Sequence, residues 1–268
     1  MLRGSGPTVV EKTIGDRRVL ITRSIQKRRH DYDEAWYFAL ALRHSKIMDV
    51  GANRGETALL ALMAGDTGSK RMLLVDANAE ALGVACHNVC LNDLGKAVVF
   101  RRGLVSDEAG KELEFFTVGP GEAGSIYASH AKSASQKNQR IKLTTTTIDA
   151  LAEEQDFSPE LIKIDVEGAE LDALKGAERL AETNAIFFVE MHDLDHRPML
   201  ESARILIQWA EENGRTVHYL KDHTPLTEPE TIANRGRCHV LILKKEQEYP
   251  EYLRQIGQRS PIRMTNDE

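Results

Sequence analysis

Lys46-Ile47-Met48-Asp49-Val50-Gly51-Ala52-Asn53-Arg54-Gly55-Glu56-Thr57 decides the fold. Ile47 to Val50 form a short apolar run broken only by Asp49, the pattern of a strand buried on both faces. Gly51 and Gly55 then turn the chain, and Ala58, Leu59, Leu60, Leu62 and Met63 open an apolar helix. A strand, a glycine turn and a helix in this order make a ligand cradle. The glycines let a ligand approach the backbone closely, and the helix start presents free N–H groups to it.

The glycine spacing narrows the ligand. It is D-x-G-x-x-x-G, neither the G-x-G-x-x-G of dinucleotide folds nor the G-x-x-x-x-G-K-[ST] of a P-loop. An acid before the first glycine suits a ligand with a cationic amine and no phosphate. S-adenosylmethionine (AdoMet), with its amine, sulfonium and ribose, is such a ligand. Taken alone, the same spacing also fits an ordinary tight strand–helix turn. One strand–helix–strand unit later, Arg71 to Asp76 read as a second strand ending in an acid. An acid there accepts bonds from two ribose hydroxyls, and it also suits the cap of the helix that begins near Ala79. The two motifs together favour a nucleoside ligand.

Around this unit the chain keeps a rhythm. Strands at 46–50, 71–76, about 97–102, 161–165 and 185–190 alternate with helices at about 55–64, 79–92, 147–155, from Glu167 onward, and at about 197–213. Such alternation predicts a parallel sheet covered on both faces, with right-handed crossovers. Ahead of it, Thr8 to Arg23 alternate around Gly15-Asp16 as a hairpin. A helix over Asp31 to His44 follows, with Trp36, Tyr37, Leu40 and Ala41 on one face; core packing is favoured over a position at the ligand mouth. The rhythm breaks at Lys111–Val118 and Gln139–Thr147, an inserted β-hairpin around the Gly/Ser-rich stretch Gly119–Ser135. That stretch reads equally as a surface loop or as a lid. Thr216–Leu220 and Cys238–Leu243 close the sheet as an antiparallel pair, and Lys244–Glu268 reads as a polar, loosely attached tail.

The expected architecture is therefore α/β and Rossmann-like, a seven-stranded mostly parallel sheet with an antiparallel last strand, plus the inserted β-hairpin and an N-terminal hairpin and helix. The expected organisation is an extension over 1–44, the ligand-binding domain over 45–243 and the tail over 244–268.

Composition removes several classes of function. With 268 residues, 41 % hydrophobic and 28 % charged, the chain is of globular type, and its net charge of −6 offers no broad basic surface to a nucleic acid. The dense basic cluster Lys27-Arg28-Arg29-His30 reads as a solvated turn. No apolar run approaches the roughly 20 residues of a membrane span, and the opening MLRGSGPTVV lacks the apolar core of a signal peptide. Cys86, Cys90 and Cys238 give no disulfide framework, and without a second ligand pair at zinc spacing they read as small core residues. These features fit a reducing cytoplasm.

Ligands of open α/β sheets sit at the carboxyl ends of the strands. Asp49, Asp76 and Asp165 lie at three such ends, and Glu190-Met191-His192 at a fourth. Here the residues support a resemblance. Leu161-Ile-Lys-Ile-Asp-Val-Glu-Gly-Ala-Glu-Leu-Asp-Ala-Leu-Lys-Gly-Ala177 resembles the signature of the FkbM family of AdoMet-dependent methyltransferases. Asp49 to Gly55 is similar to that family's first motif and Asp76-Ala77-Asn78 to its second. Asn92, Gly103-Leu104-Val105-Ser106 and Phe188 to His192 fit in order, so the resemblance spans about residues 45 to 243. It implies a class I methyltransferase fold, AdoMet as cofactor and O-methylation of a hydroxyl on a sugar, polyketide or other small molecule. It further implies that Asp49, Gly51, Asn53 and Gly55 line the amino-acid portion of the cofactor, that Asp76 with Ala77 takes the ribose, that Gly103 and Leu104 touch the adenine, and that Asp165 faces the transfer site.

Methyl transfer from a sulfonium needs in-line positioning, and an alcohol nucleophile gains from a base. Of Asp165, Glu167, Glu190 and His192, the histidine has the unperturbed pKa nearest neutral. The expected catalytic set is His192 as base, Glu190 orienting its ring, and Asp165; a satisfied loop histidine is the plain alternative. A divalent cation held among Asp165, Glu190, His192, Asp193, Asp195 and His196 is a lesser option, and no metal site is assigned. The expected partner is a small-molecule acceptor, with a homo-oligomer admissible and nucleic acid disfavoured. A nucleic-acid or protein methyltransferase, or a non-catalytic AdoMet-binding partner protein, remains the competing reading.

Overall fold

A computed structural model describes residues 8–14, 17–22, 34–117, 124–127 and 139–262. β1 (Val9–Ile14) and β2 (Arg17–Thr22) pair antiparallel, as their alternation predicts. The turn at Gly15-Asp16, the basic cluster 27–30 and the first residues of the expected helix lie outside the described residues. Asn88 and Asn92 fasten this hairpin to the fold. Asn88 Oδ1 accepts from Thr22 N at 2.9 Å, and Asn92 exchanges two hydrogen bonds with the Leu20 backbone.

α1 (Glu34–Ala41) is buried along its whole length. β3 (Lys46–Val50), α2 (Glu56–Met63), β4 (Arg71–Asp76), α3 (Ala79–Leu91) and β5 (Val98–Arg102) follow in the predicted rhythm. Then come β6 (Leu104–Val105), β7 (Glu112–Phe116), β8 (Arg140–Thr146), α4 (Ile148–Glu154), β9 (Leu161–Ile164), α5 (Glu170–Lys175) and α6 (Glu178–Ala181). The chain continues through β10 (Ile186–His192), α7 (Met199–Glu212), β11 (Arg215–Tyr219), β12 (Thr224–Pro225) and β13 (Arg237–Lys244). Among the described residues no helix is long and apolar enough to cross a membrane.

The main sheet runs in the order β12-β11-β13-β10-β9-β3-β4-β5. Its centre is parallel: β3 pairs with β4 and β9, β4 with β5, and β9 with β10. β13 lies antiparallel between β10 and β11. The α/β class and the mostly parallel sheet agree with the sequence, but the strands number eight rather than seven. The extra strand is the two-residue β12, which pairs with β11 after a turn in which His223 has φ +53°. Pro225 is tolerated there because β12 is an edge strand. Two apolar layers sandwich the sheet, one under α4 to α7 and one under α1 to α3. From β3 the chain first builds outward through β4 and β5, then returns on the other side through β9 and β10. The strand order thus reverses between β3 and β9, where a crevice opens at the carboxyl ends.

The inserted segment departs from expectation in one respect. β7 and β8 do pair antiparallel, but β8 also pairs parallel with β6, giving a separate three-stranded sheet. Its Phe115, with Leu113 and Leu143, packs on Ala77 and Leu104. Of the expected lid at 119–135, residues 119–123 and 128–135 lie outside the described residues, and 124–127 lie against the fold.

Two further expectations are corrected. The described part of the tail, 244–262, is not loosely attached: Leu253 is fully buried, and Tyr249, Tyr252, Ile256 and Ile262 pack on the layer that contains α1. Trp36 Nε1 donates to the Ile256 carbonyl at 2.6 Å, and the Arg43 guanidinium lies 3.7 Å from the Tyr252 ring centroid. A buried indole needs an acceptor, and the tail supplies it. Of the cysteines only Cys238 is buried; Cys86 is half-buried and Cys90 exposed on the outer side of α3.

Candidate active site

The carboxyl ends of β3, β4 and β9, together with residues 103–105 and the inserted segment, line a cavity open to solvent. Gly51 makes it possible. Its φ is +87°, and a Cβ there would sit 1.8 Å from the Asp165 carbonyl oxygen, so only glycine lets the β3 and β9 ends lie this close. Of the residues assigned to the cofactor, Gly51, Asn53, Asp76, Ala77, Gly103, Leu104 and Asp165 line the cavity. Asp49 and Gly55 do not. Asp49 is fully buried beneath it, where Oδ1 accepts from Lys163 Nζ at 3.0 Å and Oδ2 from Thr57 Oγ1 at 3.2 Å. Its charge is answered by the lysine of the neighbouring strand rather than presented to a ligand. Gly55, with φ +78°, starts α2; a Cβ there would lie 2.9 Å from Ala85 Cβ, so this glycine serves the packing of α2 on α3.

One end of the cavity is polar and then apolar. Asp76 Oδ2 accepts from Asn53 N and Oδ1 from Asn78 N, both at 2.7 Å. Burial raises the Asp76 carboxyl to about 6, against the lowering effect of those two backbone bonds. Asp76 does not cap α3; Asn78 does, its Oδ1 accepting from Glu80 N and Ala81 N. Asn78 Nδ2 also donates to Thr117 Oγ1 at 2.9 Å, tying the inserted sheet to the end of β4. Asn53 has φ +47°, and its Oδ1 is buried with no hydrogen-bond partner among the described residues. Beyond it, Ala77, Leu104, Phe115 and Ile126 form an apolar wall.

The other end gathers charge. Asp165 follows β9, and Lys163 Nζ lies 3.4 Å from its Oδ2; burial raises the Asp165 carboxyl and Lys163 opposes the rise. Glu167 lines the cavity with φ +52°, and burial followed by the Asp165 carboxylate pushes it up to about 7. Glu170 Oε1, at the start of α5, receives Val166 N at 3.3 Å, Gly168 N at 2.8 Å and His192 Nδ1 at 3.0 Å.

The expected role of His192 as base, with Glu190 orienting its ring, meets a different set of partners here. Burial alone would lower its pKa, but the hydrogen bond to Glu170 and the charges of Glu170, Asp165 and Glu167 hold it up at about 10. These carboxylates favour the charged form of the ring, which makes it a poorer proton acceptor than a free imidazole. The ring is oriented by Glu170, not by Glu190. Glu190 Oε1 lies 3.9 Å from His192 Nε2, whereas it lies 3.0 Å from Arg237 Nη1, and its Oε2 lies 3.3 Å from His239 Nε2. Despite burial, those cations keep the Glu190 carboxyl well below the usual range. Of the six weighed metal ligands, Asp165 and His192 come together, while Asp193 and His196 are engaged elsewhere. Asp193 Oδ1 accepts from Met199 N at the start of α7, and His196 stacks on Tyr127 with centroids 4.5 Å apart. Asp165, Glu167 and His192 offer one ligand atom each within 4.8 Å of one another.

The sequence reading singled out none of Lys163, Glu170, Asn78 and Ser125 for the site. Lys163 carries the one signal legible in the sequence, a charge inside an otherwise apolar strand.

The family described as Methyltransferase FkbM domain matches residues 49–217. No curated protein matches the sequence. Similar solved structures include a methyltransferase FkbM from Methylobacillus flagellatus KT, at 16 % identity and TM-score 0.46, covering 74 % of this chain and 43 % of that one. This chain thus spans less than half of that protein. An O-methyltransferase from Bacillus cereus in complex with SAH is 13 % identical over 78 % of this chain and 79 % of that one, with TM-score 0.47. TYW2 from M. jannaschii in complex with AdoMet is 12 % identical over 88 % and 84 %, also with TM-score 0.47.

Proposed function

This chain belongs to the FkbM methyltransferase family, and we propose that it moves the methyl group of AdoMet to a hydroxyl of a small-molecule acceptor. The observation that carries the cofactor is the pair Asn53 and Asp76: a buried amide oxygen lacking a donor beside a buried carboxylate, both facing the cavity. Buried acceptors need donors, and AdoMet brings an ammonium group and two ribose hydroxyls. Asn53 and Asp76 would hold these, with Ala77 at the ribose, while Gly103, Leu104, Phe115 and Ile126 enclose the adenine. When bound, AdoMet supplies a methyl group activated by its sulfonium.

The chemistry left to the chain is positioning and one proton. Glu167, titrating near 7, accepts the proton of the acceptor hydroxyl as its oxygen attacks the methyl carbon. Bound AdoMet would supply the methyl carbon to the acceptor oxygen and leave as S-adenosylhomocysteine with the electron pair of the broken carbon–sulfur bond, while Glu167 Oε would keep the proton. Asp165 accepts a hydrogen bond from the acceptor and turns it toward the methyl group. The His192 imidazolium, 3.7 Å from Glu167 Oε2, keeps a share of Glu167 ionised near neutral pH.

Two measurements test this. Calorimetric titration should show binding of S-adenosylhomocysteine (SAH) and none of NAD; absence of SAH binding would overturn the cofactor. Methyl-labelled AdoMet offered with a library of hydroxylated metabolites should yield an O-methyl product, with Glu167→Gln slower by about a hundredfold. Label found only on nitrogen or carbon would overturn the hydroxyl acceptor.

A further inference from the structure

Glu167 sits in an unusual backbone. It is a non-glycine residue with φ +52°, followed by Gly168 with φ +105°. Residues persist in such conformations where their surroundings over-determine them. Here the amides of Val166 and Gly168 end on Glu170 Oε1. The two carbonyls of the turn are held from elsewhere. Arg197 Nη2 donates to Gly168 O at 3.1 Å, and Ser125 Oγ donates to Glu167 O at 2.8 Å.

Ser125 is the less expected of these partners. It belongs to the inserted segment, far from β9 in sequence, yet it is 1 % exposed. Its backbone pairs with Phe116 in both directions, at 2.9 and 3.2 Å, which fixes it to the end of β7. Its hydroxyl also accepts from Tyr127 N at 3.0 Å, so the proton of that hydroxyl is directed at Glu167. The inserted sheet itself is tied to β4 through Thr117 and Asn78. A single polar chain thus runs from the ribose acid's strand, through the inserted segment, to the carbonyl of the residue that takes the proton.

We propose that Ser125 is a positioning residue for methyl transfer, holding Glu167 in the left-handed conformation that keeps its carboxyl at the cavity. The proposal rests on the reading of Glu167 as base. Four titratable groups face Glu167: Asp165 at the end of β9, Glu170 on α5, and Glu190 and His192 on β10. Released from Ser125, the Glu167 peptide relaxes toward an ordinary turn, and its carboxyl moves away from Asp165 into water. Misplacing a catalytic group by about 1 Å costs on the order of a hundredfold in rate, so the effect should be large and confined to turnover.

The test uses the full chain with Ser125→Ala, Ser125→Thr and Glu167→Gln. Proteins labelled with carbon-13 at the glutamate carboxyl and saturated with SAH report the Glu167 titration directly, with Glu167→Gln assigning the signal. In Ser125→Ala the titration should fall from near 7 toward the ordinary glutamate range, SAH affinity should stay near parental, and transfer of labelled methyl to the library of hydroxylated metabolites should slow by about ten- to a hundredfold. Ser125→Thr, which keeps the hydroxyl, should restore both titration and rate. An unmoved titration with parental turnover in Ser125→Ala would overturn the positioning role even where Glu167→Gln silences the enzyme. So would a rate loss matched by an equal loss of SAH affinity with the titration unmoved. Near-parental turnover in Glu167→Gln would instead overturn the base itself.

Discussion

Lys163 shows how much one residue decides. It lies inside a strand buried on both faces, and although burial opposes its charge, Asp49 and Asp165 hold its pKa well above the ordinary lysine value. Removing one partner of a buried ion pair leaves the other charge uncompensated. Lys163→Met should therefore cost about 3–5 kcal/mol, read from urea unfolding of the folded variant. A second expectation concerns the base. With Glu167 as the proposed base, kcat/KM should rise with pH through about 7 and level off above it. A rise centred instead on the ordinary histidine range and lost in His192→Gln would return the role to His192. These residues also mark what was legible. Glycine spacing located the cradle but could not show that Asp49 points down to Lys163 rather than up to a ligand. The pKa of His192 was hidden because Glu170, its decisive partner, lies 22 residues away on another element.

At the scale of elements, periodicity was a reliable guide where one face is buried and a poor one elsewhere. β3, β4, β9 and β10 announced themselves as apolar runs. β6 and β12, two residues each, carry no period at all. The tail was misread for a related reason. Tyr249, Tyr252, Leu253 and Ile256 are few among many charges, and a short 3-10 turn at Glu251–Gln255 has no long stripe to reveal. Leu253 is nevertheless part of the core, and the other three lie half-buried against it. Leu253→Ala should destabilise the protein by about 2–5 kcal/mol, the usual range for a buried leucine, while leaving SAH affinity unchanged in the folded fraction. Chemical denaturation with parallel calorimetry checks both halves.

For the molecule as a whole, the site stores unfavourable charge that shows as pH dependence. The Asp76 carboxyl rises from 3.8 to about 6 and the Glu167 carboxyl from 4.5 to about 7 on folding. The folded chain keeps these protons longer than the unfolded chain. The stability they contribute is therefore full below about pH 4 and is lost as pH climbs through 6 and 7. His192, raised from 6.5 to about 10, continues the trend: its contribution is full below 6.5 and fades toward 10. Glu190, depressed on folding, acts in the opposite sense, but only on acidification below its ordinary value of 4.5. Burial lowers His44, His218 and His223, which opposes this trend below about 6.5, so the Tm of the ligand-free protein should fall from about pH 6.5 to pH 8 in scanning calorimetry. SAH should flatten the lower part of that slope, because ribose hydroxyls donating to Asp76 favour its charged form. A Tm that rises across this interval would show that Asp76 and Glu167 are not strained in the way their burial implies.

The bond from Trp36 to Ile256 joins positions separated by 220 residues. During synthesis α1 emerges early, but the segment that roofs it is made only after every strand of the main sheet. Until then the nascent chain carries an apolar helix with one flank bare, and β10 waits beside β9 with its other edge unpaired until β13 arrives. Contacts this distant in sequence delay folding, because a large loop must close before they contribute. Ribosome-stalled chains ending before Tyr249 should expose α1 to protease and bind chaperones that capture apolar helices, and Trp36 fluorescence should change only in the last kinetic phase of refolding.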